Sequence, residues 1–458
     1  MTEGPIVAPT GAIQAWHDGL GGVVGTESAS QLEGVLRERG LFFGDRALCT
    51  VIRPRFLSPS QYALLRRQGK HLLRAFDSAW GAAMADPAVF AQFRPESWEA
   101  ELIGADPGRA VPSPLSRLDA FFQDGGSTFK LTEYNAETPA GSAYGDALTE
   151  IFLGLPAARE FLRSHLLWTL PARHNVLHAL LDAWRAWSGG REAPSIAIVD
   201  WNDVPTQSEF RLFEKFFREN GYECRILEPA ECEYDGSRLT AHGSRIDLIY
   251  KRVLLHELVE KGGMSHPIIR AVRDGAVCMA NGFRCKLLHK KASLAVLSDE
   301  RNAKLFGPAE RAAITRHVPW TRVVEERRTA AGGRDVDLLE YAAVNREKLV
   351  LKPNDDYGGA GIVLGWEVDQ ATWESSLKSA LVEPCIVQER IELPVEPYPA
   401  LTPDGVVLAD RIVDTAPFVF GGSHIDGCLT RISTASLVNV TAGGGSTVPT
   451  FVVEPRPS

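Results

Sequence analysis

The spacing of apolar residues near the N-terminus predicts a mainly helical region over residues 1–110. The segment SPSQYALLRRQGKHLLRAFDSAWGAAMA starts with a Ser–Pro pair, a common signal for the first turn of a helix. Its apolar residues recur at helical spacing, at Tyr62, Leu65, Leu72, Leu73 and Phe76. We therefore expect a long amphipathic helix here.

A second region, residues 111–190, is predicted to begin with a β-hairpin. In RLDAFFQDGGSTFKLTEYNAETPAG, Arg117 to Gly141, two strand-like runs flank Gly125–Gly126, which is typical of a hairpin turn. The segments GDALTEIFLGLPAAREFLRSHL and HNVLHALLDAWRAW follow and predict helices. This region therefore combines one hairpin with helices.

Strands and helices alternate in a third region, residues 191–285. SIAIVDW has the short apolar run of a buried parallel strand, and SEFRLFEKFFRENG is a helix that Gly221 closes. YECRILEP is a second strand, and IDLIYKRVLLHEL is a strand that leads into a helix. The alternation predicts a small open α/β domain. It carries no G-x-G-x-x-G turn, so a dinucleotide fingerprint is not supported.

The last region, residues 286–458, is predicted to be rich in strands. KLVLKPNDDYGGAGIVLGWE is a strand, a glycine-rich loop and a second strand, and PCIVQERIELP is a strand that ends in charged residues. Further strands follow in VLADRIVDTAPFVFGG and CLTRISTASLVNVTAGGG. With the preceding regions, the whole chain is predicted to have a mixed α/β (α+β) fold.

Composition narrows the range of partners. The 458 residues are 45% hydrophobic, enough for a large core, and carry a net charge of −9 with a pI near 5.7. This acidic balance argues against a nucleic-acid backbone or an anionic membrane as the main partner. We therefore expect small-molecule partners, while the oligomeric state cannot be predicted.

The cysteines and the N-terminus predict a cytoplasmic protein. Seven cysteines are scattered without a C-x-x-C pair, which favours reduced thiols over a disulfide framework or a zinc site. The segment MTEGPIVAPTGAIQAW lacks a basic stretch followed by an apolar run, so no signal peptide is predicted. No run of about 18 apolar residues predicts a transmembrane helix.

Two segments of the last region have the chemistry of a phosphate site. Lys352 ends a strand, and the glycines of the loop that follows would let backbone N–H groups approach a phosphate. Lys290 and Lys291 precede an apolar helical run, where an anionic partner would explain them. An ordinary glycine turn and a solvated basic turn would give the same patterns, so each segment alone leaves both interpretations open.

The hairpin of the second region has the chemistry of a magnesium site. A turn at Gly125–Gly126 places Asp119 opposite Glu133 and Arg117 opposite Asn135. The two carboxylates would repel without a cation between them, and magnesium prefers carboxylate and amide oxygens. Arg117 would stabilise negative charge beside the metal. The alternative is an edge hairpin with a solvated polar face.

These motifs resemble the ATP-grasp superfamily. R-x-D, a hairpin and E-x-N-x-x-x-P-x-G look like its magnesium-binding end, which normally comes last. The two lysines, the glycine-rich loop and the adenine-binding strand instead follow it here. This order resembles the circularly permuted ATP-grasp proteins, a group that includes glutathionylspermidine synthetase-like ligases. The resemblance implies a permuted ATP-grasp fold in which residues 191–285 form the domain that precedes the nucleotide-binding region, residues 286–458.

The resemblance also implies ligands for particular residues. ATP would be bound by Lys291 and Lys352, by Tyr357, Gly358, Gly359 and Gly361 of the loop, and by Gln388 and Glu389 of the adenine strand. Asp119, Glu133 and Asn135 would hold Mg²⁺. The segment CLTRISTASLVNVTAGGG is similar to a run of glutathione synthetase-type enzymes, which adds Arg431 and Asn439 to Arg117 as catalytic residues. Lys290 remains an alternative to Lys291.

By the same resemblance, the expected activity is that of an ATP-dependent carboxylate–amine ligase. It would join a small-molecule or peptide carboxylate to an amine through an acyl-phosphate. A kinase acting on a small molecule and a non-catalytic nucleotide-binding protein are the alternatives. Arg53, Arg55 and Arg252 are candidates for gripping a substrate carboxylate, but each is also explained as a structural ion-pair partner.

Overall fold

A computed structural model describes residues 5–108, 111–190, 192–355, 360–402, 405–435 and 445–457. Four residues of the predicted site, Tyr357, Gly358, Gly359 and Asn439, lie outside these ranges. Helices and strands are mixed along the chain, as predicted. The described helices include none that is both long and apolar enough to cross a membrane.

The first region is mainly helical, as predicted, but it also contains three short strands. Its elements are α1 (Thr10–Gly19), α2 (Val23–Glu38), β1 (Phe42–Phe43), β2 (Arg46–Ala47), β3 (Arg55–Leu57), α3 (Pro59–Ala85), α4 (Pro87–Ala91) and α5 (Ser97–Ala105). The predicted amphipathic helix is α3. The Ser58 hydroxyl accepts the backbone N–H of Gln61, and the Gln61 side chain accepts the backbone N–H of Ser58. This capping box fixes where α3 begins.

The second region contains the predicted hairpin, β4 and β5. Its elements are β4 (Leu115–Gln123), β5 (Thr128–Asn135), α6 (Ser142–Gly154), α7 (Pro156–Phe161), β6 (His165–Thr169) and α8 (Arg173–Ser188). In the antiparallel pair, Asp119 faces Glu133 and Arg117 faces Asn135, which confirms the predicted register. A β-bulge between Asp119 and Ala120 shifts the pairing beyond that point.

The third region forms a four-stranded parallel sheet in the order β13-β12-β7-β8. Its elements are β7 (Ile196–Val199), α9 (Gln207–Glu219), β8 (Cys224–Leu227), β9 (Cys232–Tyr234), β10 (Leu239–Ala241), β11 (Ser244–Arg245), β12 (Leu248–Lys251), α10 (Leu255–Gly262), α11 (Pro267–Arg273) and β13 (Cys278–Ala280). All four residues of β7 are buried, as a central parallel strand requires. The small antiparallel sheet β11-β10-β9 was not predicted.

The last region is rich in strands, as predicted. Its elements are α12 (Cys285–His289), α13 (Ala292–Ser298), α14 (Pro308–His317), β14 (Thr321–Val323), β15 (Arg328–Ala331), β16 (Arg334–Asp337), α15 (Leu338–Val344), β17 (Leu349–Pro353), β18 (Val363–Leu364), α16 (Gln370–Ser379), β19 (Cys385–Glu389), β20 (Val395–Thr402), β21 (Gly405–Val413), β22 (Ala416–Phe420), β23 (His424–Ser433), β24 (Ser446–Val448) and β25 (Thr450–Pro455). The strands that flank the glycine-rich loop, β17 and β18, belong to an antiparallel sheet in the order β14-β19-β17-β18.

One seven-stranded sheet joins the front of the chain to its end. The order is β20-β21-β23-β22-β4-β5, with β24 beside β23, so the hairpin β4–β5 lies next to β22. The helix α3 packs against β23, α13 and α14. The short strand β3 pairs in parallel with β25. Strands of the second and last regions therefore share one sheet, and one buried cluster combines side chains of the first, second and last regions.

Candidate active site

A cleft of about 670 Å³ lies where these sheets meet. Eight residues of the predicted site line it: Arg117, Asp119, Glu133, Asn135, Lys352, Gln388, Glu389 and Arg431. They come from β4, β5, β17, β19 and β23, elements at opposite ends of the chain. The structure therefore brings these predicted residues together around one cavity, whereas Lys291 and Gly361, the other two predicted residues that the structure describes, do not line it.

Two arginines hold the Asp119 carboxylate. Arg117 donates to both of its oxygens, from Nε at 2.6 Å and from Nη2 at 2.7 Å, and Arg431 Nη2 donates at 2.9 Å. Burial alone would raise the pKa of Asp119, but the two guanidinium groups outweigh it and hold that pKa below its ordinary value. Asp119 is thus an ionised anchor for both arginines, a role that the sequence did not indicate.

Asp414 holds Arg431 from the other side. Its carboxylate accepts the Arg431 backbone N–H and the Arg431 Nε, both at 2.5 Å. Asp414 is 1% exposed, and it follows β21 directly. With two carboxylates on its edges, the Arg431 guanidinium has a fixed direction. Sequence reasoning missed Asp414 because its closeness to Arg431 depends on the pairing of β21 with β23.

Glu133 and Asn135 carry oxygens that fit a hard cation. The Oδ1 atom of Asn135 is buried and accepts no hydrogen bond from the described residues. Such a group costs free energy unless a ligand satisfies it. The Glu133 side chain is 27% exposed, and its described ion-pair contact, with Lys291 Nζ, is long at 3.9 Å. The amide oxygen and the carboxylate therefore have lone pairs that could coordinate Mg²⁺, which prefers oxygen ligands.

Lys352 is buried beside these ligands. Its Nζ donates to Gln388 Oε1 at 2.7 Å and to the Thr132 carbonyl at 3.3 Å. Burial lowers the pKa of Lys352 to about 8, although the nearby Glu133 carboxylate acts in the opposite direction. Lys352 forms no ion pair with a described residue, and a phosphate would supply an anionic partner. Gln388, whose Nε2 donates to Thr321, orients Lys352.

The structure separates the two lysines that the sequence left as alternatives. Lys290 Nζ forms ion pairs with Glu99 at 2.8 Å and Asp355 at 3.3 Å, and neither carboxylate lines the cleft. Lys291 instead directs its Nζ toward Glu133, which lines the cleft. The positive charge of Lys291 also lowers the pKa of Lys352, because the two ammonium groups lie near each other. The contact with Glu133 thus distinguishes Lys291 from Lys290, and the phosphate role of either lysine stays a prediction.

The sequence did not predict the apolar part of the cleft. Its wall near Glu389 is formed by Val350, Ile362, Leu364, Trp366, Ile391 and Leu393. These side chains come from β17, from the segment around β18 and from the segment after β19. Gly361, the described member of the predicted loop residues, has a φ of +67°, a conformation that favours glycine. The wall consists of aliphatic side chains and one indole, against which an aromatic ring can pack.

A buried ion-pair cluster supports the floor of the site. Glu137 is fully buried and accepts Nζ of Lys251 and of Lys286, each at 3.1 Å, and the Leu255 backbone N–H at 2.7 Å. Burial alone would raise the pKa of Glu137, but the lysines hold it well below its ordinary value. Glu137 ties β12 and α12 to the chain that leaves β5.

His289 and Asp355 complete this cluster. One ligand atom from each of Glu137, His289 and Asp355 lies within 4.8 Å of the others, a spacing that a metal ion would also fit. Lys286 Nζ contacts both carboxylates, at 3.1 Å for Glu137 and 2.8 Å for Asp355. Because ammonium groups already balance these charges, we assign the cluster to ion pairing. Burial lowers the pKa of His289 to about 4, so its imidazole is neutral.

The arginines considered as substrate ligands are engaged elsewhere. Arg53 and Arg55 both pair with Glu396, and Arg53 also stacks on the Tyr398 ring at 3.6 Å. Neither of the two arginines lines the cleft. Arg252 does line it, but its Nη2 pairs with buried Glu209 at 3.3 Å. The structure therefore favours the ion-pair explanation for these residues.

The chain has distant relatives among curated protein sequences. No family model matches the chain. It is 26% identical to "Putative glutamate–cysteine ligase 2-3" of Frankia alni over 86% of this chain and 46% of that protein. It is 24% identical to "Putative glutamate–cysteine ligase 2-2" of Frankia casuarinae over 92% of this chain and 49% of that protein. The chain thus spans about half the length of these two relatives.

A solved structure resembles nearly the whole chain. It is a glutathione synthetase-like effector from Globodera pallida, in its apo form, with a TM-score of 0.61 and 12% identity. The match covers 93% of this chain and 96% of the effector. The likeness shows that the chain shares the overall fold of that effector, in agreement with the predicted mixed α/β (α+β) fold. The permuted order and the domain boundaries stay predictions.

Proposed function

We propose that the chain is an ATP-dependent carboxylate–amine ligase that uses the cleft to form an amide bond. The observation that carries the proposal is the meeting of β4–β5 with β17, β19 and β23 around one cavity. The R-x-D and E-x-N residues of the front thereby face Lys352, Glu389 and Arg431 of the back. These groups are far apart in the sequence, and no other function of their assembly is evident.

We assign different parts of the cleft to the parts of ATP. The apolar wall that includes Leu364 and Trp366 suits the adenine ring, and Glu389 at its edge is an acceptor for the ring's amino group. Lys291 and Lys352 would bind the phosphates. The loop residues Tyr357, Gly358, Gly359 and Gly361, between β17 and β18, remain proposed phosphate contacts.

The metal ligands would be Glu133 and Asn135. Asp119 would be a third ligand, with its carboxylate oxygens shared between the metal and the two arginines. The Asn135 oxygen, which accepts no hydrogen bond from the described residues, and the partly exposed Glu133 carboxylate support this assignment. Glu133 and Asn135 would hold magnesium there, and the ion would supply positive charge that offsets the charge of the phosphates. The chain's own contribution is to hold these oxygens on one rigid hairpin, which pre-organises the site.

Two guanidinium groups would stabilise the reacting acid. A substrate carboxylate oxygen attacks the γ-phosphorus, ADP leaves, and an acyl-phosphate forms; an amine then attacks the acyl carbon, and inorganic phosphate leaves. Arg117 and Arg431, fixed by Asp119 and Asp414, are oriented to stabilise the oxygens that gain negative charge in both steps. Asn439 is the third proposed catalytic residue.

The names of the relatives support the same reaction class. Glutamate–cysteine ligase is the activity in the names of the two Frankia proteins, and it joins an acid to an amine. Those names describe proteins about twice as long as this chain, so the identity of acid and amine does not transfer. The proposal is therefore limited to a small-molecule or peptide carboxylate and an amine.

Trapping with hydroxylamine tests this proposal. Purified protein is incubated with Mg-ATP and pools of carboxylic acids, with and without hydroxylamine, and ADP and hydroxamate are measured. We expect ADP release that depends on one pool and a hydroxamate of one acid in it, because hydroxylamine intercepts an acyl-phosphate. ADP release with a phosphorylated product and no hydroxamate would identify a kinase and contradict the proposal.

A further inference from the structure

A second cavity, of about 510 Å³, lies behind the hairpin β4–β5. Glu133 and Asn135 of β5 line the cleft, whereas Tyr134, between them, lines the second cavity. Successive side chains of a strand point to opposite faces, so the hairpin separates the two spaces. Among the residues that the structure describes, none lines both cavities. The second cavity is therefore a place of its own.

Three charged residues of α3 line the second cavity. Lys70, Arg74 and Asp77 recur at i, i+4 and i+7, so they lie along one face of the helix, and all three are exposed. Their side chains form no ion pair or hydrogen bond within the described ranges, although the spacing of Arg74 and Asp77 is that of a helical ion pair. Across the cavity, His424 Nε2 lies 3.8 Å from the Asp426 carboxylate. The three charges on α3 are thus available to a ligand.

The turn between β22 and β23 faces these charges and offers hydrogen-bond donors. Gly421 and Gly422 have φ of +57° and +73°, which favours glycine. The Gly421 N–H donates to the Pro114 carbonyl at 2.8 Å, and the Ser423 N–H donates to the Phe420 carbonyl at 3.2 Å. In the described part of the chain, the Gly422 N–H and the Ser423 hydroxyl form no hydrogen bond. Both residues line the cavity, so both donors are open to an anion.

The floor of the second cavity is apolar. It includes Leu73, Phe76, Tyr134 and Leu288, which are 1–5% exposed. The Phe76 and Tyr134 rings stack with 4.3 Å between their centroids, which joins α3 to β5. An apolar floor beneath a few convergent polar groups is typical of a small-molecule site.

We infer that this second cavity binds a small acid that carries two negative charges and one ammonium group. Lys70 and Arg74 would pair with the negative charges, and Asp77 would accept the ammonium group. Such a ligand matches all three charges of α3, whereas a monocarboxylic amino acid leaves one cation unmatched. A phosphorylated primary amine and a dicarboxylic amino acid share this chemistry. The inference is independent of the proposed function, because no residue of the cleft enters it.

Two probes and their matched analogues test the inference. Binding to the full chain is measured by calorimetry at low ionic strength, because salt screens exposed charges. O-phosphoethanolamine is compared with ethyl phosphate and ethanolamine, and glutamate with glutarate and glutamine; each analogue lacks one charged group. We expect one probe to bind at least roughly 10-fold more tightly than both of its analogues, the usual effect of one hydrogen bond to a charged group. Analogues that bind as tightly as their probes, or binding of neither probe, would overturn the inference.

Variants on α3 identify the residues responsible. Lys70→Gln and Arg74→Gln should each weaken binding of the favoured probe by roughly 10-fold or more. Asp77→Asn should remove the preference for that probe over its analogue without an ammonium group. Arg66→Gln, one turn earlier on the same exposed face, does not line the cavity and should bind like the wild type. Glutamine is a good helix former, so these exposed changes should leave the fold intact.

The position of the bound probe is checked with Mg-ADP. Saturating Mg-ADP should leave the affinity of the favoured probe unchanged, because the hairpin separates the second cavity from the cleft. Competition by Mg-ADP, or unchanged binding in both Lys70→Gln and Arg74→Gln, would refute the inference. The hydroxylamine result judges the ligase proposal separately.

Discussion

Glu133→Gln is expected to reduce acid-dependent ADP release by roughly 10²–10³-fold or more, the effect of losing one pre-organised electrostatic group in an active site. Glutamine keeps the size and one oxygen of the side chain but removes the charge that faces Lys291 and the proposed metal position. Because the side chain is partly exposed, the fold should not depend on it. The measurement is steady-state ADP release with Mg-ATP and the responsive acid pool.

A matched change checks that this loss is specific. Glu383→Gln alters an exposed glutamate that lies outside the cleft, just before β19. It should turn over ATP at the wild-type rate, and the urea midpoints of both variants should equal that of the wild type. Turnover by Glu133→Gln within about threefold of the wild-type rate would exclude Glu133 from the metal site.

Glu137→Gln is expected to lower the free energy of unfolding by about 3–5 kcal/mol, the usual cost of removing one partner from a buried ion pair. Lys251 would keep the Val253 carbonyl, at 3.3 Å, but would lose its charged partner while being 1% exposed. Lys286 would lose one of its carboxylates and keep Asp355. Equilibrium unfolding in urea gives the free energy.

The control for this prediction is the same chemical change in a surface pair. Glu33 and Arg37 form an i,i+4 pair on α2, with side chains 64% and 71% exposed. Glu33→Gln should change stability by less than about 1 kcal/mol, since exposed pairs contribute little. A loss of similar size in Glu33→Gln and Glu137→Gln would contradict the account of the buried cluster.

The sequence was informative about the hairpin because the relevant physics is local. The pair Gly125–Gly126 fixes the turn, and side-chain alternation then decides which residues face each other. Strict alternation from this turn would place Asp119 opposite Thr132; the predicted pairs, Asp119 with Glu133 and Arg117 with Asn135, are confirmed, but they also need the one-residue shift of a β-bulge. The bulge at Asp119–Ala120 has no comparable local signal.

Contacts between distant parts of the chain were not predictable in this way. The sequence suggested a cation between Asp119 and Glu133, but the described contacts to Asp119 are guanidinium groups, one of them from Arg431, 312 residues away. The clamp of Asp414 on Arg431 and the apolar wall around Trp366 depend on the same long-range packing. So does the pairing of β3 with β25, which places part of the helical first region beside the last strand.

The role of the buried lysines illustrates the same limit. A basic run before an apolar helix predicted an anionic ligand, and of its two lysines Lys291 has its Nζ near Glu133, which lines the cleft. Lys290 balances Glu99 and Asp355, and Lys286 balances Glu137 and Asp355. A sequence contains the charges but not their partners, so it cannot separate a ligand-binding lysine from one that neutralises a buried carboxylate.

Oxygen transfer from acid to phosphate tests the central claim most directly. The responsive acid, labelled with ¹⁸O in its carboxylate, is incubated with the protein, Mg-ATP and an amine, and the released phosphate is analysed by mass spectrometry. An acyl-phosphate route leaves one ¹⁸O atom in each phosphate, because the acid's own oxygen joins the γ-phosphorus and departs with it. Phosphate that carries only unlabelled oxygen would show that ATP is cleaved without activating the acid, and would contradict the proposed ligase.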